Sequence, residues 1–253
     1  MIPIKTPHEI ELMAQAGKIL AEVMKEIKAM VAPGIATEEL DKAAKGLILK
    51  FGAQPAFKGY QGFPKTLCVS INEQIVHGVP SERIIKEGDV VGLDLGIVYP
   101  AGRGKHGYYA DMAITLPVGS VEPEAARLIK ATKKALKRAI ARVKPGKTLG
   151  DISHAIQGHI EDQGFSIIRD LCGHGIGRQL HEEPEIPNYG QRHKGPELKP
   201  GMVLAIEPMA CLGRPGIKKG PDRFSYQTAD NSIAAHFEHT IAVTAQGPRV
   251  LTE

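Results

Sequence analysis

The sequence has no long apolar run. No uninterrupted apolar segment in its 253 residues approaches the roughly 18 residues that a membrane-spanning helix needs. The opening M-I-P-I-K-T-P-H-E has neither a charged start followed by an apolar stretch nor a cleavage site, so it does not match a secretion signal. These two absences predict a soluble protein of the cytoplasm.

Cysteine is scarce, and neither sign of charge is in strong excess. The three cysteines are an odd number at unpatterned spacings, which argues against a disulfide framework and predicts free thiols in a reducing compartment. Thirty-two Lys and Arg face 28 Asp and Glu, with the signs mostly interspersed, so a dedicated nucleic-acid surface is not indicated. Lys133, Lys134, Lys137 and Arg138 do cluster on one predicted helix, where a solvated face is a better interpretation than a polyanion contact.

Helical spacing of apolar residues, with capping and stop signals, predicts four helices. The first follows the capping box Thr6-Pro7-His8-Glu9 and ends before Pro33-Gly34, and the second is capped by Thr37 and ends at Gly52. The third runs from after Ser120 to about Val143, and the fourth runs from Leu149 to about Gln163. Strands are predicted at about 66–71, 90–98, 108–116, 165–169, 202–207 and 232–243, with a hairpin tip at 100–107.

The second half of the chain resembles a copy of the first. Gly34 and Gly146, each of which follows a proline, lie 112 residues apart, and Asp94 and Glu207 lie 113 apart on equivalent predicted strands. This period is too long for a solenoid and instead predicts a duplication within one domain. We therefore expect one catalytic domain over residues 1–253, with pseudo-symmetric halves of about 1–118 and 119–253. The expected fold class is α+β, with helices outside a curved, mainly antiparallel sheet.

Four acids lie inside apolar predicted strands, where an unpaired carboxylate is costly. A single such acid is more often salt-bridged or at a sheet edge, but four of them favour a shared cation cluster. They are Asp94, Asp111, Glu207 and Glu238.

Two histidines accompany them in L-C-G-H-G-I-G-R-Q-L-H, which is predicted to be a glycine-rich loop without strand character. His174 and His181 can face one site from this loop, one as a ligand and the other as a hydrogen-bond donor, although two solvated imidazoles remain the alternative. Four carboxylates and one imidazole suit two divalent ions that activate a shared water, with Asp111 and Glu238 as bridges. The donor set suits Mn²⁺, Fe²⁺ or Co²⁺, and Zn²⁺ also remains open.

Several motifs stand in a fixed order along the chain: C-V-S-I-N-E-Q-I-V-H-G-V-P, G-L-D, C-G-H-G-I-G-R-x-x-H-E-E-P, I-E-P-M and F-E-H-T. From its K-T-P-x-E-I opening to its final strand, the chain resembles the type I methionine aminopeptidases of the pita-bread metallopeptidase family. The resemblance implies removal of the initiator methionine from nascent proteins and peptides with a small second residue. It implies five ligands for two metal ions: Asp94, Asp111, His174, Glu207 and Glu238.

The same resemblance assigns the other site residues. His77 would lie beside the scissile peptide, His181 would donate a hydrogen bond to its carbonyl oxygen, and Glu207 would act as general base. The methionine pocket falls on Tyr60, Phe63, Cys68, Leu180 and Phe224. The expected partners are nascent N-termini and the ribosome, and the expected state is a monomer.

Two departures from the family pattern affect these expectations. Phe57 stands where many bacterial relatives carry a small residue, which bears on pocket depth, and the segment Y-P-A-G-R-G-K-H-G predicts a longer hairpin near the entrance. Two rival interpretations remain. A proline-specific peptidase of the same fold usually carries an additional N-terminal domain. A catalytically inactive module that binds ribosomes or nucleic acid typically lacks some of the metal ligands, and all five are present here.

Overall fold

The computed structural model of the chain describes residues 1–101 and 107–253. The described residues form four α-helices: α1 Pro7–Met30, α2 Thr37–Lys50, α3 Pro123–Ile140 and α4 Leu149–Asp162. A 3₁₀ turn covers Tyr60–Gly62. Among these residues, the helices are all too short or too polar to cross a lipid bilayer.

The predicted start of α1 is confirmed, whereas the predicted cap of α2 is wrong. The Thr6 hydroxyl accepts the N–H of Glu9 at 3.3 Å, and the Glu9 carboxylate accepts the N–H of Thr6 at 2.7 Å, which completes a capping box. In α2 the cap is Ala36, and Thr37 is the first helical residue. The Thr37 hydroxyl instead accepts the N–H of Ser81 at 2.8 Å and donates to its carbonyl at 3.0 Å, so it is not free to cap the helix.

The strands pair antiparallel throughout the described residues. The large sheet has the order β1-β4-β5-β14-β9-β7-β8, with β2 on β4 and β15 on β14. Its strands are β1 Gln54–Pro55, β2 Leu67–Ile71, β4 Val90–Tyr99, β5 Tyr108–Pro117, β7 Cys172–Gly175, β8 Glu182–Pro187, β9 Val203–Ile206, β14 Glu238–Thr244 and β15 Gly247–Val250. Two small sheets contain β3 Gln74–Val76 with β11 Ile217–Lys219 and β12 Tyr226–Thr228, and β6 Ser166–Ile167 with β10 Met209–Cys211 and β13 Ala234–His236.

Two predicted segments differ from the structure. The single strand expected at 232–243 breaks at Phe237, and its two parts, β13 and β14, belong to different sheets. The segment expected to be a loop without strand character begins as β7. Glycine allows this strand because a Cβ at Gly173 would clash with the carbonyl oxygen of Ala205, and one at Gly175 would clash with that of Glu183. The backbone therefore packs closer to its neighbours than a side chain would permit.

The helices cover one face of the large sheet and leave the other for a site. Along β4, Leu93 and Leu95 pack in the cluster that contains α1 and α2, so the residue between them points to the opposite face. Along β9, Leu204 and Ile206 pack in the cluster that contains α3 and α4, while Ala205 belongs to a third cluster. The predicted class, α+β with helices outside a curved, mainly antiparallel sheet, is confirmed.

Candidate metal centre and pocket

The strand register places three carboxylates on one face of the sheet. Asp94 of β4 and Glu238 of β14 both lie opposite Ala113 of the intervening strand β5. Directly opposed residues in antiparallel strands project to the same face, and Asp111, two residues before Ala113, shares that face. Hydrogen-bond register alone therefore gathers these three acids.

The same register brings in a histidine and a fourth acid. His174 of β7 lies opposite Ala205 of β9, which lies opposite Thr240 of β14. Thr240 is two residues after Glu238, so His174 projects to the same face as that acid. Glu207 follows β9, two residues after Ala205, and its Oε1 lies 3.6 Å from Nε2 of His174.

The gathered side chains fit a cation. Ligand atoms of Asp111, His174 and Glu238 lie within 4.8 Å of one another. One carboxylate oxygen each of Asp94, Asp111 and Glu238 is buried and has no hydrogen-bond partner among residues 1–101 and 107–253. Buried carboxylates without partners are expensive, and a divalent ion is the partner that an oxygen-rich set with one nitrogen suits.

Burial also shifts the acid–base behaviour of the cluster. It raises the pKa of both Asp111 and Glu207 to about 8, and burial together with the neighbouring acids raises the pKa of Asp94 and Glu238 well above the ordinary range. It lowers the pKa of His174 to about 3. Without a cation these groups favour their neutral forms, so a bound cation would supply the positive charge that keeps the carboxylates ionised.

A largely apolar pocket opens directly beside the cluster. Phe63 and Phe224 meet edge to face, with ring centroids 5.5 Å apart, and Cys68 of β2 lies opposite Asp94 in the sheet. The Phe57 ring packs over Gly96, where a side chain would clash with it. All five pocket residues expected from the sequence line this one cavity, together with Phe57: Tyr60, Phe63, Cys68, Leu180 and Phe224.

His77 and His181 lie at the cavity, outside the close group formed by Asp111, His174 and Glu238. Nδ1 of His181 is 2.7 Å from the Tyr60 hydroxyl, and its ring centroid is 4.2 Å from that of His174. His77 has a left-handed backbone with φ of 59°, which is uncommon for a residue other than glycine. Desolvation lowers its pKa to about 4, so its imidazole is neutral near pH 7.

Sequence reasoning missed several residues of this region, among them Gln61, which lines the pocket. His236 is buried, and its Nε2 lies 3.3 Å from Oε2 of Glu207. The sequence did carry a signal for His236, because a histidine two residues before Glu238 within an apolar run is itself unusual. The prediction of the site took only the acid from this segment. Lys219 and Tyr226 also line the pocket, with the ammonium 3.7 Å from the ring centroid. Nothing in the local sequence pattern marks Lys219 or Tyr226, which lie on strands β11 and β12 of a small sheet beside the pocket.

A cluster of acids with a histidine, beside a pocket with aromatic and aliphatic walls, is the site of a metal-dependent hydrolase. The model of metallopeptidase family M24 matches residues 11–245, and the chain belongs to that family. Its fold is the pita-bread fold, as predicted.

The most informative relatives separate the two enzyme interpretations. Methionine aminopeptidase 1 of Bacillus subtilis is 46% identical over 252 residues, covering 100% of this chain and 99% of that protein. The solved structure of methionine aminopeptidase from Thermotoga maritima has a TM-score of 0.96 at 44% identity and covers both chains fully. Prolidase from Pyrococcus furiosus has a TM-score of 0.78 at 27% identity, and the match covers 99% of this chain but 65% of that one. The chain is thus similar over its whole length to methionine aminopeptidases, and it shares the fold with proline-specific enzymes.

Proposed function

We propose that this protein is a methionine aminopeptidase. It hydrolyses the first peptide bond of nascent proteins and peptides that begin with methionine and continue with a small residue. The observation that carries the proposal is that the side chains of the expected methionine pocket and the buried acids line one and the same cavity. A methionine chain of the substrate fills the pocket while the peptide bond after it lies against the acids.

Five side chains are proposed to hold two divalent ions, Mn²⁺, Fe²⁺, Co²⁺ or Zn²⁺. When bound, the ions supply a water nucleophile near neutral pH and polarise the substrate carbonyl. The three orphaned carboxylate oxygens and the oxygen-rich donor set support this assignment. The proposed ligands are Asp94, Asp111, His174, Glu207 and Glu238.

The chain's own residues divide the remaining work. Glu207 accepts the proton of the attacking water and returns it to the leaving amine. Oε2 of Glu207 lies 3.3 Å from Nε2 of His236. Nδ1 of His181 lies 2.7 Å from the Tyr60 hydroxyl. With that hydroxyl as the donor, Nε2 carries the proton and donates to the carbonyl oxygen as negative charge develops there. His77, which lines the cavities on both sides of the cluster, orients the scissile amide.

The pocket explains why methionine is chosen. Its aromatic and aliphatic walls suit a flexible thioether and reject a charged first residue, which would be buried without a partner. Similar unbranched apolar chains should also be cleaved, because one methylene changes binding by only about 1–3 kcal/mol. The residue after methionine would pass close to His77 and the segment at His174, and the resemblance to the family implies that it is small.

Nascent N-termini are the proposed substrates in the cell, for a monomeric cytoplasmic enzyme that works at the ribosome. The surface proposed for the ribosomal contact is the exposed cationic face of α3, which forms no ion pair within the described ranges and which a solvated face would also explain: Lys130, Lys133, Lys134, Lys137 and Arg138. Changing Lys133 and Lys137 to Glu should weaken co-sedimentation with ribosomes, while Lys42→Glu on α2 should not. Unchanged co-sedimentation would remove α3 from the contact. The longer hairpin predicted near the entrance lies largely outside the described residues, since 102–106 are not among them.

Substrate peptides test the activity directly. We expect the metal-loaded protein to cleave Met-Gly-X far faster than Met-Ile-X under anaerobic Mn²⁺, Fe²⁺ or Co²⁺. Leu-Pro-X should be a poor substrate, and preferential cleavage of it would replace this proposal with a proline-specific one. Binding of two metals without turnover of any peptide would favour a binding module.

A further inference from the structure

The loop between β7 and β8 carries two residues of the proposed site. Leu180 is buried in the pocket wall, and His181 projects into the cavity beside His174. Loops of this kind are held in place by contacts with the surrounding protein, because they have no ladder of their own.

A buried ion pair lies directly under the loop. Nζ of Lys5 is 2.5 Å from Oε2 of Glu182, and the two side chains are only 1% and 6% exposed. The other oxygen of Glu182 accepts the backbone N–H groups of Arg178 at 2.7 Å and Gln179 at 3.1 Å. A side chain at Gly177 would clash with Lys5, so the loop backbone rests on the lysine stem.

The lysine is itself anchored. Its backbone N–H donates to the carbonyl of Gly201 at 2.8 Å, which ties it to the turn before β9. A second contact with the loop is made four residues further along the chain, where Glu9 pairs with the Arg178 guanidinium. Glu9 also accepts a hydrogen bond from the Tyr108 hydroxyl at 2.8 Å. The opening segment of the chain therefore contacts the loop at two points.

A buried ion pair is a poor way merely to stabilise a fold. Taking both charges out of water offsets much of their attraction, and apolar residues of similar volume often stabilise as well or better. Directional hydrogen bonds are what this pair offers and an apolar pair would not. In this site they end on the two loop residues that precede Leu180 and His181.

We propose that Lys5 and Glu182 are positioning residues that hold the 177–181 loop so that His181 reaches the substrate carbonyl oxygen and Leu180 closes the methionine pocket. Their side chains are almost fully buried, so they act on the reaction through the loop backbone. The inference rests on the proposed function, and it adds the N-terminal segment to the parts of the chain on which turnover depends.

The decisive variants separate position from stability. Lys5→Met leaves the buried carboxylate of Glu182 without its cation, although the N–H groups of Arg178 and Gln179 remain, so it should lower both Tm and kcat. The double variant Lys5→Met with Glu182→Leu replaces the pair by apolar side chains and removes the acceptor of the loop N–H groups. It should regain most of the lost Tm, while kcat on Met-Gly-X stays about 10-fold or more below that of the parent enzyme, because loss of one carbonyl-oxygen donor lowers kcat by about 10²–10³-fold. Metal content should be unchanged.

Two controls calibrate these effects. Glu11→Gln on α1 removes the exposed ion pair between Glu11 and Arg249, and it should leave kcat and KM unchanged. Ile156→Val in the core beneath α3 and α4 should lower Tm. At assay temperatures below that Tm, it should leave kcat unchanged. Recovery of kcat together with Tm in the double variant would overturn the proposal and leave the pair a purely structural one.

A second readout does not depend on turnover. The ring nitrogen resonances of His181 should show one tautomer in the parent protein, with Nδ1 hydrogen-bonded to Tyr60. In the double variant, which needs no loop acceptor to fold, we expect these resonances to shift or broaden, whereas those of His239, which bonds Thr252, should not change. An unchanged His181 signal would contradict the positioning role. If the parent enzyme failed to cleave any methionyl peptide, the proposed function would fail while this measurement still decided the role of the pair.

Discussion

Glu207 shows how much a single residue in this site depends on its surroundings. Its two oxygens face different histidines, Oε1 towards His174 at 3.6 Å and Oε2 towards His236 at 3.3 Å. Burial raises its pKa to about 8 without a metal, and a bound cation would lower it again. The carboxylate owes this behaviour to its position after β9 and not to its identity alone.

Glu238 provides the first test at this scale. It is 2% exposed, and one of its oxygens has no hydrogen-bond partner within 1–101 and 107–253. Glu238→Ala should abolish turnover and reduce bound metal, because the metal site loses one of its proposed ligands. The protein should stay folded, since removal of an unpaired buried carboxyl also removes its desolvation cost. Metal analysis with circular dichroism checks this, and full metal content with normal turnover would take Glu238 out of the ligand set.

The two neighbouring histidines should respond differently to substitution. His181→Ala should lower kcat by about 10²–10³-fold with metal content nearly intact, because it removes a donor to the developing oxyanion. His174→Ala should lose metal. Tyr60→Phe serves as a milder companion, since it keeps the imidazole and removes only the 2.7 Å hydrogen bond to Nδ1. Equal metal loss in the His181 and His174 variants would mean that their roles are wrongly assigned.

At the scale of elements, register does most of the assembly. Strand β5 lies between β4 and β14, so one residue, Ala113, is opposite both Asp94 and Glu238. A shift of one residue in either pairing would turn an acid into the helix-covered face and bring an apolar residue into the site. The helices on that face select the register because the alternate residues Leu93 and Leu95 are fully buried against them.

The start of α1 allows a pH-dependent prediction away from the site. Burial raises the pKa of Glu9, but hydrogen bonds from Thr6 and Tyr108 and the charge of Arg178 outweigh it and lower the pKa to about 2 from 4.5. A carboxyl with a depressed folded pKa stabilises the protein above its ordinary pKa, and this contribution is lost as pH falls through about 4.5 to 2. Glu9→Gln should therefore lower Tm at pH 7 and differ little from the parent near pH 2.

Thermal unfolding at several pH values measures this difference. Glu22→Gln is the matched control, because Glu22 is an exposed acid of the same helix whose pairing with Lys25 at 3.6 Å is weak. It should change Tm little at any pH. A Glu9→Gln difference that stayed constant from pH 7 to pH 2 would show that charge is not the cause.

At the scale of the whole molecule, the metal cluster should link stability to pH. The folded pKa values of Asp111 and Glu207, about 8, lie above their ordinary values of 3.8 and 4.5. Groups with raised folded pKa values stabilise fully below the ordinary pKa, and they lose this contribution as pH rises through the folded value. Metal-free protein should therefore lose stability between about pH 4 and 8, and added metal should restore it most at pH 8.

Differential scanning calorimetry with and without a chelator makes the comparison. The Asp111→Asn variant removes one of the acids with a raised pKa, so its metal-free form should lose less stability over the same pH range. A metal-free protein whose Tm rose steadily with pH would contradict the assignment of these acids as desolvated partners of a cation.

The duplication seen in the sequence also belongs to this scale. We propose one catalytic domain over 1–253 with halves of about 1–118 and 119–253, supported by two helix pairs that each cover part of the sheet. The halves meet where β5 pairs with β14 in the interior of that sheet. Residues 1–118 expressed alone should therefore not fold, because β5 would become an unprotected edge. Circular dichroism and proteolysis test this, and a folded, protease-resistant fragment would show that the halves are separate domains.

Local signals in the sequence determined the helices, the capping box at Thr6, most strand cores and the presence of four acids in or directly after apolar strands. These follow from periodicity, capping chemistry and desolvation, which act over a few residues. Motif order added the family. Thr37 and the break at Phe237 were misread because their partners, the Ser81 backbone and a different sheet, lie far away in the chain.

Only the tertiary structure decided which distant groups meet. His236 faces Glu207 because β13 and β14 separate into two sheets, and Lys219 reaches the pocket on a small sheet of its own. Lys5 lies under the loop of His181, 177 residues before the acid that it pairs with. Such contacts depend on strand order and packing, which no local pattern encodes, because the free energy that selects them comes from burying the whole sheet against its helices.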